Sequence, residues 1–142
     1  MALNRHSPVE PLPLLFRQNI QRLLPQDAQR LVVAVSGGVD STVLAHLISG
    51  YRDELAISGG KPLSIMLAHY NHRLRGRESG QDARFCRNLA RRLGMEWTGE
   101  SGDVARYAAK MNLSIEDAAR RKRHSFLLKT CLDWRADALL LA

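Results

Sequence analysis

Apolar residues along the chain alternate between two kinds of run. From Leu14 to Leu24, Leu15, Phe16, Ile20, Leu23 and Leu24 fall at helical spacing. That pattern predicts an amphipathic helix ended by Pro25. Leu31-Val32-Val33-Ala34-Val35 is short and unbroken, which predicts a strand buried on both faces. Thr42 to Ile48 predicts a helix stopping near Gly50. Tyr51 to Pro62 reads as a connection, with Gly59-Gly60 and Pro62 as breakers. Leu63 to Ala68 predicts a second buried strand. A helix then starts at Glu78 or Ser79, carries Phe85, Cys86, Leu89, Ala90 and Leu93 on one stripe, and closes at Gly94. Glu96 to Gly99 reads as a short strand anchored by Trp97, and Val104 to Met111 as a short helix. Ser114 with Asp117 resembles a capping box, opening a helix that runs to about Trp134. Ala138 to Ala142 is a last strand. Strands alternating with helices predict an α/β fold, a doubly wound parallel sheet flanked by helices. Residues 1–13, polar with three prolines, are expected to be a flexible segment.

A chain of 142 residues is one domain or part of one. It has no run of about 18 apolar residues, so no membrane span is expected. Met1 to Glu10 does not resemble a signal peptide. Cys86 and Cys131 are far apart and form no Cys-x-x-Cys; without a secretion signal they read as reduced cytoplasmic thiols. Cys86 sits on the apolar stripe of its helix and reads as a core residue. The formal charge is +7, from 21 basic and 14 acidic residues. That balance favours a polyanionic partner. Aromatic residues are few, so no extensive base-stacking platform is evident.

The densest chemistry lies in Ser36-Gly37-Gly38-Val39-Asp40-Ser41, between the first strand and the next helix. Strand, glycine turn and helix start together hold phosphate: the glycines allow a sharp turn, and the helix amides and dipole favour an anion. Ser36 and Ser41 can add hydroxyl donors. Asp40 would repel a bare phosphate, which suggests a metal ion or donor network beside it. The run is neither a Walker sequence nor a Gly-x-Gly-x-x-Gly fingerprint. Five fixed positions of this kind arise by chance with probability on the order of 10⁻⁴ in a chain this long. Arg120 and Arg123, three residues apart on a helix, could aim two guanidinium groups at phosphate, although Glu116 one turn earlier offers Arg120 an ordinary partner. His69, Asn71, Arg73 and Arg75 follow the second strand, where α/β sheets bind ligands, and are candidates for base or phosphate contacts. His69 and His72 lack a third ligand, so no metal centre is expected of them. His46, inside an apolar helix, reads as structural.

The SGGVDS run resembles the pyrophosphate-binding loop of ATP pyrophosphatases that adenylate a substrate. Leu67 to Arg75 is similar to the second-strand motif of the tRNA(Ile)-lysidine synthetase family, and Ser79 to Leu93 to their next helix. Ser114-Ile115-Glu116-Asp117-Ala118-Ala119-Arg120-Arg121-Lys122-Arg123-His124 resembles their Ser-x-Glu-x-x-Ala-Arg-x-x-Arg-Tyr segment, with His124 where tyrosine is usual. The resemblance implies an adenine nucleotide alpha hydrolase-like, Rossmann-like fold. It implies ATP and Mg²⁺ as cofactors, and as substrates an isoleucine tRNA with a wobble cytidine and free lysine. The base would be adenylated at O2 with release of pyrophosphate, and the lysine amine would attack C2 and expel AMP. Ser36, Gly37, Gly38, Val39, Asp40 and Ser41 would grip pyrophosphate, and Asp40 would also help place Mg²⁺. Ala68 and His69 would lie near the adenosine, Arg120 near the phosphates or the developing charge, with Arg123 assisting. A family segment His-x-x-Asp-Asp-Gln-x-Glu-Thr would follow the last strand. Its lack leads to the expectation that residues 14–142 are an incomplete nucleotide-binding domain, truncated and short of part of the catalytic machinery. The resemblance leaves the oligomeric state open, a homodimer being compatible with it. Two alternatives stand beside it. One is tRNA thiolation, against which the absence of Cys-x-x-Cys counts. The other is a non-catalytic RNA-binding module.

Overall fold

The computed structural model describes residues 10–74 and 76–142. Four strands, β1 (Arg30–Ala34), β2 (Ser64–Asn71), β3 (Glu96–Ser101) and β4 (Ala138–Leu140), form one sheet in the order β3-β2-β1-β4. All three pairings are parallel. Among the described residues, α1 (Leu12–Leu23) precedes β1, and the strands are connected by α2 (Val39–Ile57), α3 (Arg77–Arg92), and α4 (Val104–Met111) with α5 (Ile115–Trp134).

The unbroken apolar strands have the reason expected of a parallel sheet, since helices cover both faces. Leu31, Val33, Val35, Ile65 and Leu67 point to one face and pack with Ile20 of α1, Ala45 and Ile48 of α2, and Cys86, Leu89 and Ala90 of α3. Val32, Met66, Ala68 and Tyr70 point to the other and pack with α4 and α5 through Val104, Ala108, Ala118, Phe126 and Leu127. The predicted doubly wound architecture is the one observed. β2 and β4 flank β1 on opposite sides, so the strand order reverses at β1, which opens a crevice at the carboxyl ends.

Several element boundaries differ from the expectation. Residues 1–9 of the segment predicted to be flexible lie outside the described residues, and its end is already helix, because α1 starts at Leu12. Pro13 fits there, since the first turn needs no amide donor. Only Phe16, Ile20 and Leu24 of the predicted α1 face reach the core, and Leu23 is 79% exposed. α2 does not stop at Gly50 but runs to Ile57. Tyr51 and Leu55 continue the apolar spacing of Leu44 and Ile48, and their packing outweighs one helical glycine. The Arg52 guanidinium donates to Leu93 O at 2.9 Å and Gly94 O at 3.3 Å, so α2 caps the carboxyl end of α3. Phe85 leaves its predicted stripe and is 39% exposed, and His46 is exposed rather than structural. β2 continues through His69 and Tyr70 to Asn71, because β3 pairs alongside it as far as Ser101.

Candidate functional site

The loop after β1 is held by its own serines. Ser36 N donates to Ser41 Oγ at 3.1 Å, and Ser41 Oγ donates to Gly38 O at 3.2 Å. Gly38 N donates to Ser36 Oγ at 3.2 Å, and the two hydroxyl oxygens are 3.2 Å apart. Ser41 is buried and its proton is committed within the loop, so Ser36 is the hydroxyl of the pair that can turn to a ligand. Gly37 has φ +91°, and a Cβ there would stand 3.2 Å from Asp82 Oδ1. The backbone angle favours glycine, and a Cβ would also press on the Asp82 side chain of α3. Gly38 is the N-cap of α2 and carries no side-chain cap. The first-turn amides of α2 therefore leave the helix end unsatisfied by a cap, with the positive end of the dipole behind them.

This loop forms one wall of a cavity of about 510 Å³ at the carboxyl ends of the strands. The other walls come from Ala68 to His72 of β2 and its exit, Asp82 of α3, Arg123 and Leu127 of α5, and Leu141 after β4. The volume is in the range of small-ligand sites. His69 is buried in the wall, with Nδ1 2.8 Å from Val35 O. A carbonyl oxygen only accepts, so Nδ1 carries a hydrogen, which in the neutral ring leaves Nε2 as the acceptor. That Nε2 is buried and has no partner among the described residues. Leaving a buried acceptor unmet costs about 1–3 kcal/mol, which a ligand donor would offset. The imidazole also stacks on Trp97 at 6.2 Å.

The sequence profile of the PP-loop domain family matches residues 13–142. The chain belongs to that family. It is 44% identical over 106 residues, 75% of the chain, to the tRNA(Ile)-lysidine synthase of Persephonella marina. It is 39% identical over 127 residues, 89% of the chain, to that of Thermus thermophilus. It spans 22% of the length of each. Among solved structures, the NAD+ synthetase of Burkholderia pseudomallei superposes with a TM-score of 0.58 at 12% identity, over 89% of this chain and 57% of the other. The NH3-dependent NAD synthetase of Campylobacter jejuni gives 0.58 at 15% identity, over 91% and 51%. These likenesses show the adenine nucleotide alpha hydrolase fold.

Within this PP-loop domain, Ser36, Gly37, Gly38, Ser41, Ala68, His69 and Arg123 line the cavity together. Val39 and Asp40, in the exposed first turn of α2, stand outside its lining, as does Arg120. Three residues turn a helix by 300°, so Arg120 and Arg123 diverge by about 60°. That offset leaves Arg120 in solvent, 3.8 Å from Glu116, and puts Arg123 on the wall. Asn71 lines the cavity, and its Oδ1 accepts from Arg73 N at 2.9 Å. Arg73 donates to Ser101 Oγ at 2.9 Å and is not part of the lining. Arg75 lies outside the described residues.

Asp82 and His72 are wall residues to which the sequence reading assigned no such place. The signal for Asp82 is an acid one turn before Cys86, on the inward stripe of a helix that carries five arginines. His72 has a buried Nδ1 without a partner among the described residues. Burial, then the Arg123 charge, then His69 hold its pKa below the ordinary value, which keeps it neutral at pH 7. Cys86 is a core thiol as expected, pushed up to about 12 by burial and then by Asp82. Cys131 packs on the opposite face of the sheet, so the two thiols cannot act as a pair. No cluster of three metal-ligating side chains occurs among the described residues.

Proposed function

We propose that this PP-loop domain binds ATP in the cavity and serves the conversion of a wobble cytidine of an isoleucine tRNA to lysidine. The observation that carries the nucleotide is the uncapped amino end of α2 behind a glycine turn, opening on a cavity with an orphaned acceptor. The names of the relatives support the choice of RNA substrate. The separation of the two thiols speaks against thiolation.

Gly37, Gly38 and the amides of Val39, Asp40 and Ser41 would hold the pyrophosphate, with Arg123 meeting phosphate from α5 and Arg120 joining from outside the wall. Ala68 and His69 would face the adenosine, where His69 Nε2 accepts a hydrogen from an amino or hydroxyl group. Mg²⁺ is usually held by one or two carboxylates plus phosphates, so a three-ligand cluster is not needed. Asp82, in the wall against Gly37, and Asp40, in the first turn of α2, are the carboxylates that would hold it. Bound ATP would supply an adenylyl group to the cytosine O2, with its α–β phosphate bond broken and pyrophosphate released, which makes that oxygen a good leaving group. The amine of free lysine then forms the C2–N bond as AMP departs. The chain's part is to hold nucleotide and base in line and to stabilise charge on the phosphates. No helix among the described residues is long and apolar enough to cross a membrane, and the unpaired thiols fit a cytoplasmic setting.

The test is ATP-dependent transfer of labelled lysine to a wobble-cytidine isoleucine tRNA, by the full-length protein that carries this domain with the present chain alongside. Transfer supports the reading. Pyrophosphate release without transfer of lysine keeps the adenylating domain and overturns lysine as the nucleophile.

A further inference from the structure

α3 carries five arginines in its 16 residues: Arg77, Arg84, Arg87, Arg91 and Arg92. Its inner stripe is Cys86, Leu89 and Ala90 in the core, with Asp82 against Gly37. At 100° per residue, Arg77, Arg84 and Arg91 recur every seven positions and stay within about 40° of one another, opposite that stripe. Arg87 and Arg92 flank them. All five are exposed. None takes part in a salt bridge among the described residues, whereas Arg17, Arg52, Arg120 and Lys129 each sit against an acid.

The fold gives no reason for this row. A cation near a helix carboxyl end gains from the dipole, which accounts for Arg91 and Arg92. The same dipole disfavours Arg77 in the first turn, and Arg84 at mid-helix gains nothing from it. Like charges three, four and seven residues apart repel one another. The placement has a clear consequence. α3 begins beside the cavity, where Asp82 forms part of the wall, and runs back between the parallel strands β2 and β3 for about 24 Å.

We propose that the outward arginine face of α3 is a docking track for the phosphate backbone of the RNA whose base enters the cavity. This rests on the RNA substrate of the proposed function and adds the surface that holds it. Guanidinium forks bind phosphate oxygens in pairs, and a row of them along one axis matches a polyanion running from the cavity mouth. A second copy of the chain is a poor occupant, because a two-fold interface would set the arginines against themselves. An anionic membrane shares the charge, but a track leading out of a nucleotide-sized cavity favours the nucleic acid.

The experiment measures anisotropy of a fluorescein-labelled anticodon stem-loop RNA with a wobble cytidine, across a KCl series. The chain is compared with Arg84→Gln/Arg87→Gln/Arg91→Gln and with the corresponding triple lysine variant. The glutamine variant is expected to bind about tenfold more weakly near 0.1 M salt, with a log–log salt slope shallower by about 2. The lysine variant should restore the slope, and ATP affinity should not change in either. If the triple glutamine variant unfolds, the single variants are read, each with a slope shallower by about 0.7. Undiminished RNA binding with an unchanged slope overturns the track. So does arginine-dependent binding to phosphatidylserine vesicles with none to RNA. Undiminished RNA binding while the full-length protein still transfers lysine overturns the track alone. Arginine-dependent RNA binding without any lysine transfer overturns the reaction and leaves the track.

Discussion

Gly37 shows how little freedom the phosphate loop has. Its φ of +91° is one that L side chains rarely adopt, and Asp82 fills the space a Cβ would need. Gly37→Ala is therefore expected to destabilise the domain by about 1–3 kcal/mol and to weaken ATP binding by more than that strain alone explains. The second effect follows because either the loop or Asp82 must move, and both line the cavity. Thermal unfolding and an ATP titration on the same variant check the pair. Unchanged ATP affinity would remove the loop from the binding site. The loop was fully legible as a motif because it is contiguous. Asp82, His72 and the divergence of Arg120 from Arg123 were not, because each depends on which way a helix or strand is rolled against its neighbours.

At the scale of elements, α5 shows what sets a binding side chain in place. Ser114 Oγ accepts from Asp117 N at 3.1 Å and so starts the helix that carries Arg123 to the cavity. Before it, Asn112 takes the left-handed conformation that ends α4. Ser114→Ala is expected to cost about 1 kcal/mol, within the usual range for a lost N-cap. Arg123 lies more than two turns further on, so ATP affinity should fall far less than stability. A fall in ATP affinity as large as that from Arg123→Ala would show instead that the cap positions the site directly. Helix starts of this kind can be read from sequence, since the cap and the amide it binds are three residues apart. The far end of α2 could not. Gly50 looks like a stop, and only the packing of Tyr51 and Leu55 shows that it is not one.

Across the whole molecule, one carboxylate joins the edge strand β4 to its neighbour β1. Asp137 Oδ2 accepts from Gln29 N at 2.8 Å and Arg30 N at 2.9 Å, and Asp137 N donates to Arg30 O at 2.8 Å. Arg30 in turn donates to Trp134 O at 3.0 Å and lies over the Trp134 ring. These contacts hold β4 in register on β1 across more than a hundred residues of chain. The amide hydrogen bonds from Gln29 and Arg30 hold the Asp137 pKa below its ordinary 3.8. A depressed carboxylate contributes stability above its unfolded value and loses it as pH falls from there through the folded pKa. Acidification below pH 3.8 should thus weaken the native protein more steeply than Asp137→Ala, which should be less stable at neutral pH. Denaturant melts from pH 7 to pH 2 test this. Superimposed acid profiles would show that the clip contributes nothing.

By itself the sequence determined the features that are local or periodic: the alternation of strands and helices, the burial of the strands on both faces, the phosphate loop and the cap of α5. Each rests on residues within a few positions of one another, where turn chemistry and side-chain period act directly. The tertiary structure decided which side chains meet across distance. It brought Asp82 onto Gly37 and left His69 Nε2 in the cavity wall without a partner among the described residues. It also turned Arg120 away while Arg123 faced inward, and seated α3 so that its arginine row begins beside the cavity. Those outcomes depend on how each element is rotated and seated on the sheet. The packing of the two cores sets that, and no short stretch of chain encodes it.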